Sequence, residues 1–239
     1  MKKLSLLFTI LFIFWGSISS FGQDTIKQLT IRINALLPSS NFGNDDIEDW
    51  IFDGGGGATA GFGAGLQYLI PLENPSFGVF LSGDLFINNT KNKIKEDWED
   101  IFASKQNVKY PKYINIPILA GFNYNYKKEN SSIGFFGNTG LGFNYLKITN
   151  FSTSSDGDGL EFEFDKSIKF AYEISGGAVF NDKVKLALSF INLGNHDIDG
   201  TETDKYANGN KEKYDISREY DPSNLDISGF KISIGLILH

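Results

Sequence analysis

The chain has 239 residues, a formal net charge of −7 and no cysteine. The absence of cysteine excludes a lipoprotein anchor, a disulfide framework and thiolate chemistry. An acidic chain does not have the composition of a nucleic-acid-binding protein, so no nucleic acid is expected among its partners.

The N-terminal segment 1–22 is predicted to be a cleaved signal peptide. Lys2 and Lys3 precede an apolar run of 12 residues that ends at Trp15, and small residues follow before Gln23. A membrane-anchoring helix is the alternative, but a helix needs about 20 apolar residues to span a bilayer. The segment therefore favours export followed by cleavage.

The remaining region, 23–239, is predicted to be one domain built from eight strand-like segments. Each segment alternates apolar residues with small or polar ones, which is typical of a β-strand that has two different faces. The gaps between the segments alternate between long and short. Tight turns at one end and long loops at the other are typical of an outer-membrane β-barrel with an even number of strands. The segments are 28–37, 58–70, 77–87, 112–126, 132–147, 167–180, 183–192 and 227–238.

This pattern predicts an all-β fold, an eight-stranded antiparallel up-and-down transmembrane barrel. The short turns 71–76, 127–131 and 181–182 are expected in the periplasm, and the long loops outside the cell. Within the loops, the acidic stretches 44–57 and 193–222 are expected to be mobile and exposed. Localisation in the outer membrane of a Gram-negative cell follows from the export signal and the strand layout.

The two faces of the segments indicate which side meets lipid. One face is apolar, and aromatic residues gather near both of its ends, as in the interfacial girdles of membrane barrels. The other face is rich in Gly, Ser and Asn, which suit a narrow interior. A soluble calycin-like ligand-binding barrel would reverse the faces. Its water-facing side would be dense in Lys and Glu, which is not the observed pattern.

Residues 113–124 read Tyr-Ile-Asn-Ile-Pro-Ile-Leu-Ala-Gly-Phe-Asn-Tyr. This segment resembles a strand of the PorT-like outer-membrane β-barrel protein family of Bacteroidota, and segments 140–145 and 190–194 resemble later strands of the same group. The resemblance implies an eight-stranded barrel that is inserted from the periplasm, with no single activity. The expected partners are outer-membrane lipid, periplasmic chaperones, the barrel-assembly machinery and a protein met through the extracellular loops.

Six charged residues are predicted to face the interior. Buried charges must pair, because an uncompensated one costs several kcal/mol. We interpret them as a lumen ionic plug that fills the bore and fixes the strand register. The alternative is a selective polar pathway, for which eight strands leave little room. The six residues are Arg32, Asp84, Lys169, Glu173, Lys185 and Lys231.

The long loops offer weak candidates for other chemistry. Asp156, Asp158 and Glu161 are carboxylates with glycines between them, which suits Ca²⁺, but the spacing is not that of an EF-hand loop. A solvated acidic surface is the favoured interpretation, and no metal or cofactor is predicted. His196 with Asp197 is the one plausible pair of a base and its orienting group. No catalytic residue and no enzymatic activity are predicted from it.

Two classes of function remain from the sequence. The first is a non-enzymatic outer-membrane protein whose barrel anchors acidic extracellular loops for structural, adhesive or complex-forming work. The second is a transport component, either a narrow porin-like pore or an accessory barrel of a secretion system. A soluble ligand-binding barrel is a minor third alternative.

Overall fold

The computed structural model describes most of the chain. The signal peptide predicted at 1–22 lies outside the described part, and so does Asp156. Among the described residues, no helix is long and apolar enough to cross a bilayer. The described ranges are 27–46, 55–101, 107–155, 158–216 and 224–238.

The described residues form strands with two short helices between them. The helices are α1 (Ser40–Gly43) and α2 (Asn92–Ile101). The strands in chain order are β1 (Gln28–Ser39), β2 (Gly61–Pro71), β3 (Phe77–Asn89), β4 (Asn107–Lys109), β5 (Lys112–Lys127), β6 (Ile133–Ile148), β7 (Phe151–Ser155), β8 (Asp158–Phe164), β9 (Ser167–Phe180), β10 (Val184–Asp197), β11 (Gly200–Lys205), β12 (Lys211–Asp215) and β13 (Asn224–Leu238).

Eight of these strands close into an antiparallel barrel in the order β1-β13-β10-β9-β6-β5-β3-β2. β1 pairs with both β2 and β13, so the sheet has no free edge. The predicted eight-stranded closed barrel is confirmed. Tight turns connect its strands at one end. In the turn between β9 and β10, Asn181 and Asp182 have φ of 50° and 55°. Three residues separate the paired Phe180 and Val184, and left-handed residues fit the twist of such a tight hairpin. Asn and Asp tolerate that conformation.

The outward face of the barrel is apolar along the middle of every strand. Successive residues of β13 show the alternation: Phe230, Ile232 and Ile234 are exposed, whereas Lys231 and Ser233 are buried. We call the exposed apolar side chains of the barrel the apolar band. On the other strands it includes Ile33, Phe62, Leu66, Leu81, Ile118, Phe122, Phe135, Leu141, Phe143, Ile168, Phe170, Ile174 and Leu188.

The long connections form a second structure over the opposite end of the barrel. Five short strands pair in the order β12-β11-β8-β7-β4. We call this sheet, together with α1 and α2, the cap. The stretch 193–222 was expected to be an exposed loop, but in its described part β10 extends to Asp197 and β11 pairs with both β8 and β12. The expected exposure is found along β12. Most of the other predicted loop, 44–57, lies outside the described residues.

One hydrophobic core joins the cap to the barrel. It contains inward-facing barrel residues such as Leu36 and Ile191 together with Phe151 and Phe162 of the cap sheet. Phe42 of α1 packs edge-on against Tyr113 of β5, with ring centroids 5.2 Å apart. The cap is therefore packed onto the barrel rather than tethered above it.

Candidate functional site

The barrel interior is filled in three layers. The layer nearest the cap belongs to the shared hydrophobic core. The middle layer is polar and contains buried charges. The layer nearest the tight turns is again apolar. Each of its members lies within a few residues of the strand end on the tight-turn side of the barrel. Its buried side chains are Leu69, Phe80, Phe136 and Ile237.

The middle layer is organised around Asp84. The Arg32 guanidinium donates through Nε to Asp84 Oδ1 at 2.9 Å and through Nη2 to Asp84 Oδ2 at 2.8 Å. Asn34 Nδ2 donates to the same Oδ1 at 2.8 Å. A two-pronged Arg–carboxylate pair fixes both orientation and distance. It therefore ties β1 to β3 across the intervening strand β2.

Gly65 makes this pairing geometrically possible. It lies on β2 directly between Arg32 on β1 and Asp84 on β3. A Cβ on Gly65 would lie 1.7 Å from Asp84 Oδ1. No side chain fits there, so the glycine clears the path between the two charges. Its position on the inward face of β2 was visible in the sequence, but its role depends on the register.

Lys231 connects the carboxylate of Glu173 to that of Asp84. Its Nζ donates to Glu173 Oε2 at 2.6 Å and to Asp84 Oδ2 at 3.3 Å. Ser189 Oγ donates to Glu173 Oε1 at 2.8 Å. The Lys231 side chain is 1% exposed. Because both carboxylates face this single ammonium group, Lys231 holds the two halves of the polar layer together.

Lys185 completes the layer, and within the described ranges its ammonium group bonds to an amide oxygen rather than to a carboxylate. Its Nζ donates to Gln67 Oε1 at 2.9 Å and lies 4.0 Å from the centroid of the Phe136 ring. A small cavity beside it measures about 10 Å³. That volume holds about one water molecule. The structure thus places five of the six predicted plug residues inside the barrel and packs them closely.

Lys169 differs from the prediction. It faces inward by alternation, but it lies at the cap end of β9, and its Nζ contacts Asp197 Oδ2 at 2.5 Å. The two side chains are 32% and 55% exposed. Lys169 faces the correct side of the strand for the buried network. It stays outside that network because it lies only two residues from the start of β9, at the cap end.

His196 is fully buried. Its Nε2 lies 3.0 Å from the carbonyl oxygen of Leu193, and it belongs to the end of β10, beyond the apolar band. Burial lowers its pKa to about 4, so the ring is neutral at physiological pH. Asp197 is bound to Lys169 instead of orienting the imidazole. The two residues therefore do not form a base with an orienting group.

The acidic residues of the cap are engaged separately. Asp158 Oδ1 accepts the backbone N–H of Ala207 at 2.8 Å. Glu161 accepts Lys205 Nζ at 2.5 Å, and this hydrogen bond lowers the pKa of Glu161. Within the described part of the chain, no group of three or more His, Cys, Asp or Glu residues is placed to hold a metal ion.

Two solved structures are similar in architecture. One is the crystal structure of a major outer membrane protein from Thermus thermophilus, with a TM-score of 0.46 and 10% identity over 90% of this chain and 100% of that chain. The other is Neisserial surface protein A, with a TM-score of 0.43 and 10% identity over 89% and 96% of the two chains. No protein-family model and no curated protein matches the chain. Both scores are below 0.5, so neither likeness bears on function.

The Glu161–Lys205 pair predicts a pH-dependent contribution to cap stability. A carboxylate whose pKa is lowered on folding stabilises above its unfolded pKa, here 4.5, and that contribution is lost as the pH falls through the folded value. Both groups are partly exposed, so Lys205→Met should cost only about 0.2–1 kcal/mol.

We expect hydrogen exchange, corrected for intrinsic rates, to show less protection of β8 and β11 in Lys205→Met than in wild type at pH 7. The difference should vanish well below pH 4.5. Lys211→Met is the control, because Lys211 lies on the exposed outer strand of the same sheet. A difference that persists unchanged in acid would show that the ion pair is not its cause.

Proposed function

We propose that this chain is a non-enzymatic outer-membrane protein whose filled barrel anchors the cap as a rigid platform at the cell surface. The work of that platform would be structural, adhesive or complex-forming. The observation that carries the proposal is the apolar band, and the filled interior and the packed cap support it.

The apolar band is unusual for a surface in water. Phe62, Phe122 and Ile168 are 73%, 67% and 65% exposed, and similar side chains surround the whole barrel. A monomeric soluble protein rarely exposes a continuous apolar surface of more than a few hundred Å². An outward apolar band around a barrel with a polar middle layer inside is the arrangement of transmembrane β-barrels. It also argues against a calycin-like barrel, whose apolar side would line an internal ligand cavity.

The interior supports an anchoring role better than a porin-like one. Side chains from all three layers occupy the bore, and the cavity beside Lys185 has room for about one water molecule. A narrow eight-stranded barrel leaves space only for side chains. An ion that crossed the middle layer would have to displace Lys231, which is bonded to both Asp84 and Glu173.

The packed cap supports the platform role. Trp98 of α2 packs edge-on against Phe151 of β7 with ring centroids 4.9 Å apart, and Phe151 in turn lies near Phe162 of β8 at 5.9 Å. Because this cluster belongs to the core shared with the barrel, the cap presents a fixed surface. The hairpin of β11 and β12 lies at one edge of that sheet, and all residues of β12 are exposed.

The proposal predicts opposite accessibility for the two ends of the barrel. Asn208, in the turn between β11 and β12, should face the medium, whereas Asn130, in the tight turn between β5 and β6, should face the periplasm. Both residues are exposed, and the chain has no cysteine, so single cysteines there report on sidedness alone.

Asn208→Cys should react with a membrane-impermeant maleimide on intact cells. Asn130→Cys should react only after the outer membrane is opened, because hairpins inserted from the periplasm keep their short turns there. Labelling of Asn130→Cys on intact cells, with Asn208→Cys protected, would mean that the barrel is inverted. Recovery of the protein in the soluble periplasmic fraction would contradict the membrane location.

A further inference from the structure

Three lysines form a cluster on the outer surface of the barrel, at the cap end of the apolar band. Lys112 is the first residue of β5, Lys147 is the last but one of β6, and Lys166 directly precedes β9. All three are exposed, and we call them the lysine rim. β5, β6 and β9 are neighbours in the barrel, so the three lysines lie on consecutive strands.

The strand register brings these side chains together. Lys112 lies opposite Thr149, because its N–H donates to Thr149 Oγ1 at 2.8 Å and its carbonyl accepts the Thr149 N–H at 3.0 Å. Lys147 is two residues before Thr149 on the same face. On the other side, Leu146 pairs with Ser167, so the next pair outward sets Lys147 opposite Lys166. Opposite Cβ atoms in a sheet are about 5 Å apart and diagonal ones about 7–8 Å apart.

The faces of the strands fix the direction of the lysines. Tyr113 and Leu146, which are sequence neighbours of Lys112 and Lys147, are buried in the shared core. Alternate residues of a strand point to opposite faces. The lysines of β5 and β6 therefore point outward, on the same side as the apolar band.

The lysine rim forms no salt bridge in the part of the chain that the structure describes. Among the described residues, no ion pair includes Lys112, Lys147 or Lys166. Some other lysines outside the barrel interior do form such pairs, as Lys127 does with Asp182 at 2.5 Å and the partly exposed Lys205 with Glu161. Like charges placed opposite each other in a sheet are destabilising. A ligand that carries more than one negative charge would remove this repulsion.

An apolar surface continues directly below the lysines. Phe143 and Phe170 meet edge-on with ring centroids 6.4 Å apart, and Ile168 stands beside them, 65% exposed. Ile116 and Tyr145 form a cross-strand pair on the same outward face. A ligand held here would therefore meet positive charge at its upper end and hydrocarbon below it.

We propose that the lysine rim binds the phosphorylated head group of an outer-leaflet lipid, whose acyl chains lie along the apolar surface below. This inference rests on the proposed membrane location and adds a ligand to it. The phosphate would come from lipid rather than from solution, because the lysines stand at the boundary of the apolar band. Each lysine near an anionic membrane surface raises the affinity for that surface by about 5-fold.

The test uses the full-length protein inserted in phosphatidylcholine bilayers. The probes are lipid A with two phosphates, the same lipid without phosphates, and inorganic phosphate. The variant Lys112→Gln/Lys147→Gln/Lys166→Gln removes the rim. Lys205→Gln/Lys211→Gln/Lys213→Gln removes the same charge from the cap and serves as the control.

We expect the rim variant to bind phosphorylated lipid A at least about 10-fold more weakly than wild type, given the contribution of each lysine. The cap variant should bind within about 2-fold of wild type, and the lipid without phosphates should not distinguish the proteins. Inorganic phosphate at millimolar concentration should not compete.

Unchanged binding by the rim variant, or an equal loss in both variants, would overturn the lipid site. Full competition by inorganic phosphate would also overturn it, because the ligand would then be a free anion. Vesicle flotation and heat-modifiable gel mobility precede the binding measurement. A wild-type protein that does not insert would contradict the proposed function itself, and this failure is seen before any lipid is compared.

Discussion

Lys231→Met is expected to lower the free energy of unfolding of the barrel by about 3–5 kcal/mol. The substitution removes the ammonium group that donates to Glu173 at 2.6 Å and to Asp84 at 3.3 Å. Asp84 would keep its two hydrogen bonds from Arg32, but among the described residues Glu173 would keep only Ser189 as a hydrogen-bond partner. The main cost is thus a buried carboxylate left without its cation.

Urea titration of the protein in lipid vesicles, followed by heat-modifiable gel mobility, measures this loss. Lys169→Met is the matched control: it also faces inward by alternation, but its pair with Asp197 is partly exposed and should contribute at most about 1 kcal/mol. Adding Glu173→Gln to Lys231→Met should restore part of the loss, because the double variant has no uncompensated carboxylate there. Equal losses for the two lysine variants would contradict the assigned roles.

The barrel could be predicted from the sequence because its signals are local. Alternation along each strand distinguishes the two faces, and the alternating gap lengths give the antiparallel hairpins. The ends of strands were less certain, since Ala58 was assigned to a strand that begins at Gly61 in the structure. Ala58 instead joins Thr90 through an isolated bridge beneath the cap.

The sequence predicted which residues belong to the polar layer, but not which of them bond to each other. Alternation identifies which residues face inward, but pairing depends on the height of each residue in a tilted barrel. Lys185 illustrates the limit, since it bonds to Gln67, which is 118 residues away in the chain and carries no charge. Lys169 shares the inward face with Glu173, yet it lies too near the cap to reach the network.

The cap was missed because its strands are short and polar. β7 reads Phe-Ser-Thr-Ser-Ser and β11 reads Gly-Thr-Glu-Thr-Asp-Lys, and neither has enough apolar residues to show a period. Such segments gain their order from pairing with each other and from a few phenylalanines that enter the shared core. The phenylalanines at 151, 162 and 164 were the available signal, because solvated loops have little reason to contain three of them so close together.

Ile118→Arg should cost about 2–4 kcal/mol in a bilayer, whereas Tyr126→Arg should cost about 0–1 kcal/mol. Both residues lie on β5 and face outward, and their exposed fractions are almost equal, at 55% and 56%. They differ in height, because Ile118 lies in the middle of the strand and Tyr126 is the last residue but one. The penalty for a charge in lipid depends on depth, so the two variants separate a lipid-facing surface from a water-facing one.

The measurement is the urea unfolding free energy of each variant in vesicles, compared with wild type. Ile118→Leu is the control for loss of shape at the deeper site, and it should change stability by less than about 1.5 kcal/mol. If the barrel stood in water, the two arginines would meet the same solvent and cost the same small amount. Equal penalties, or a larger one at Tyr126, would therefore mean that the apolar band does not lie in a membrane. A steep difference in the expected order would place the middle of β5 at the centre of the bilayer, with Lys112 of the lysine rim at the outer boundary.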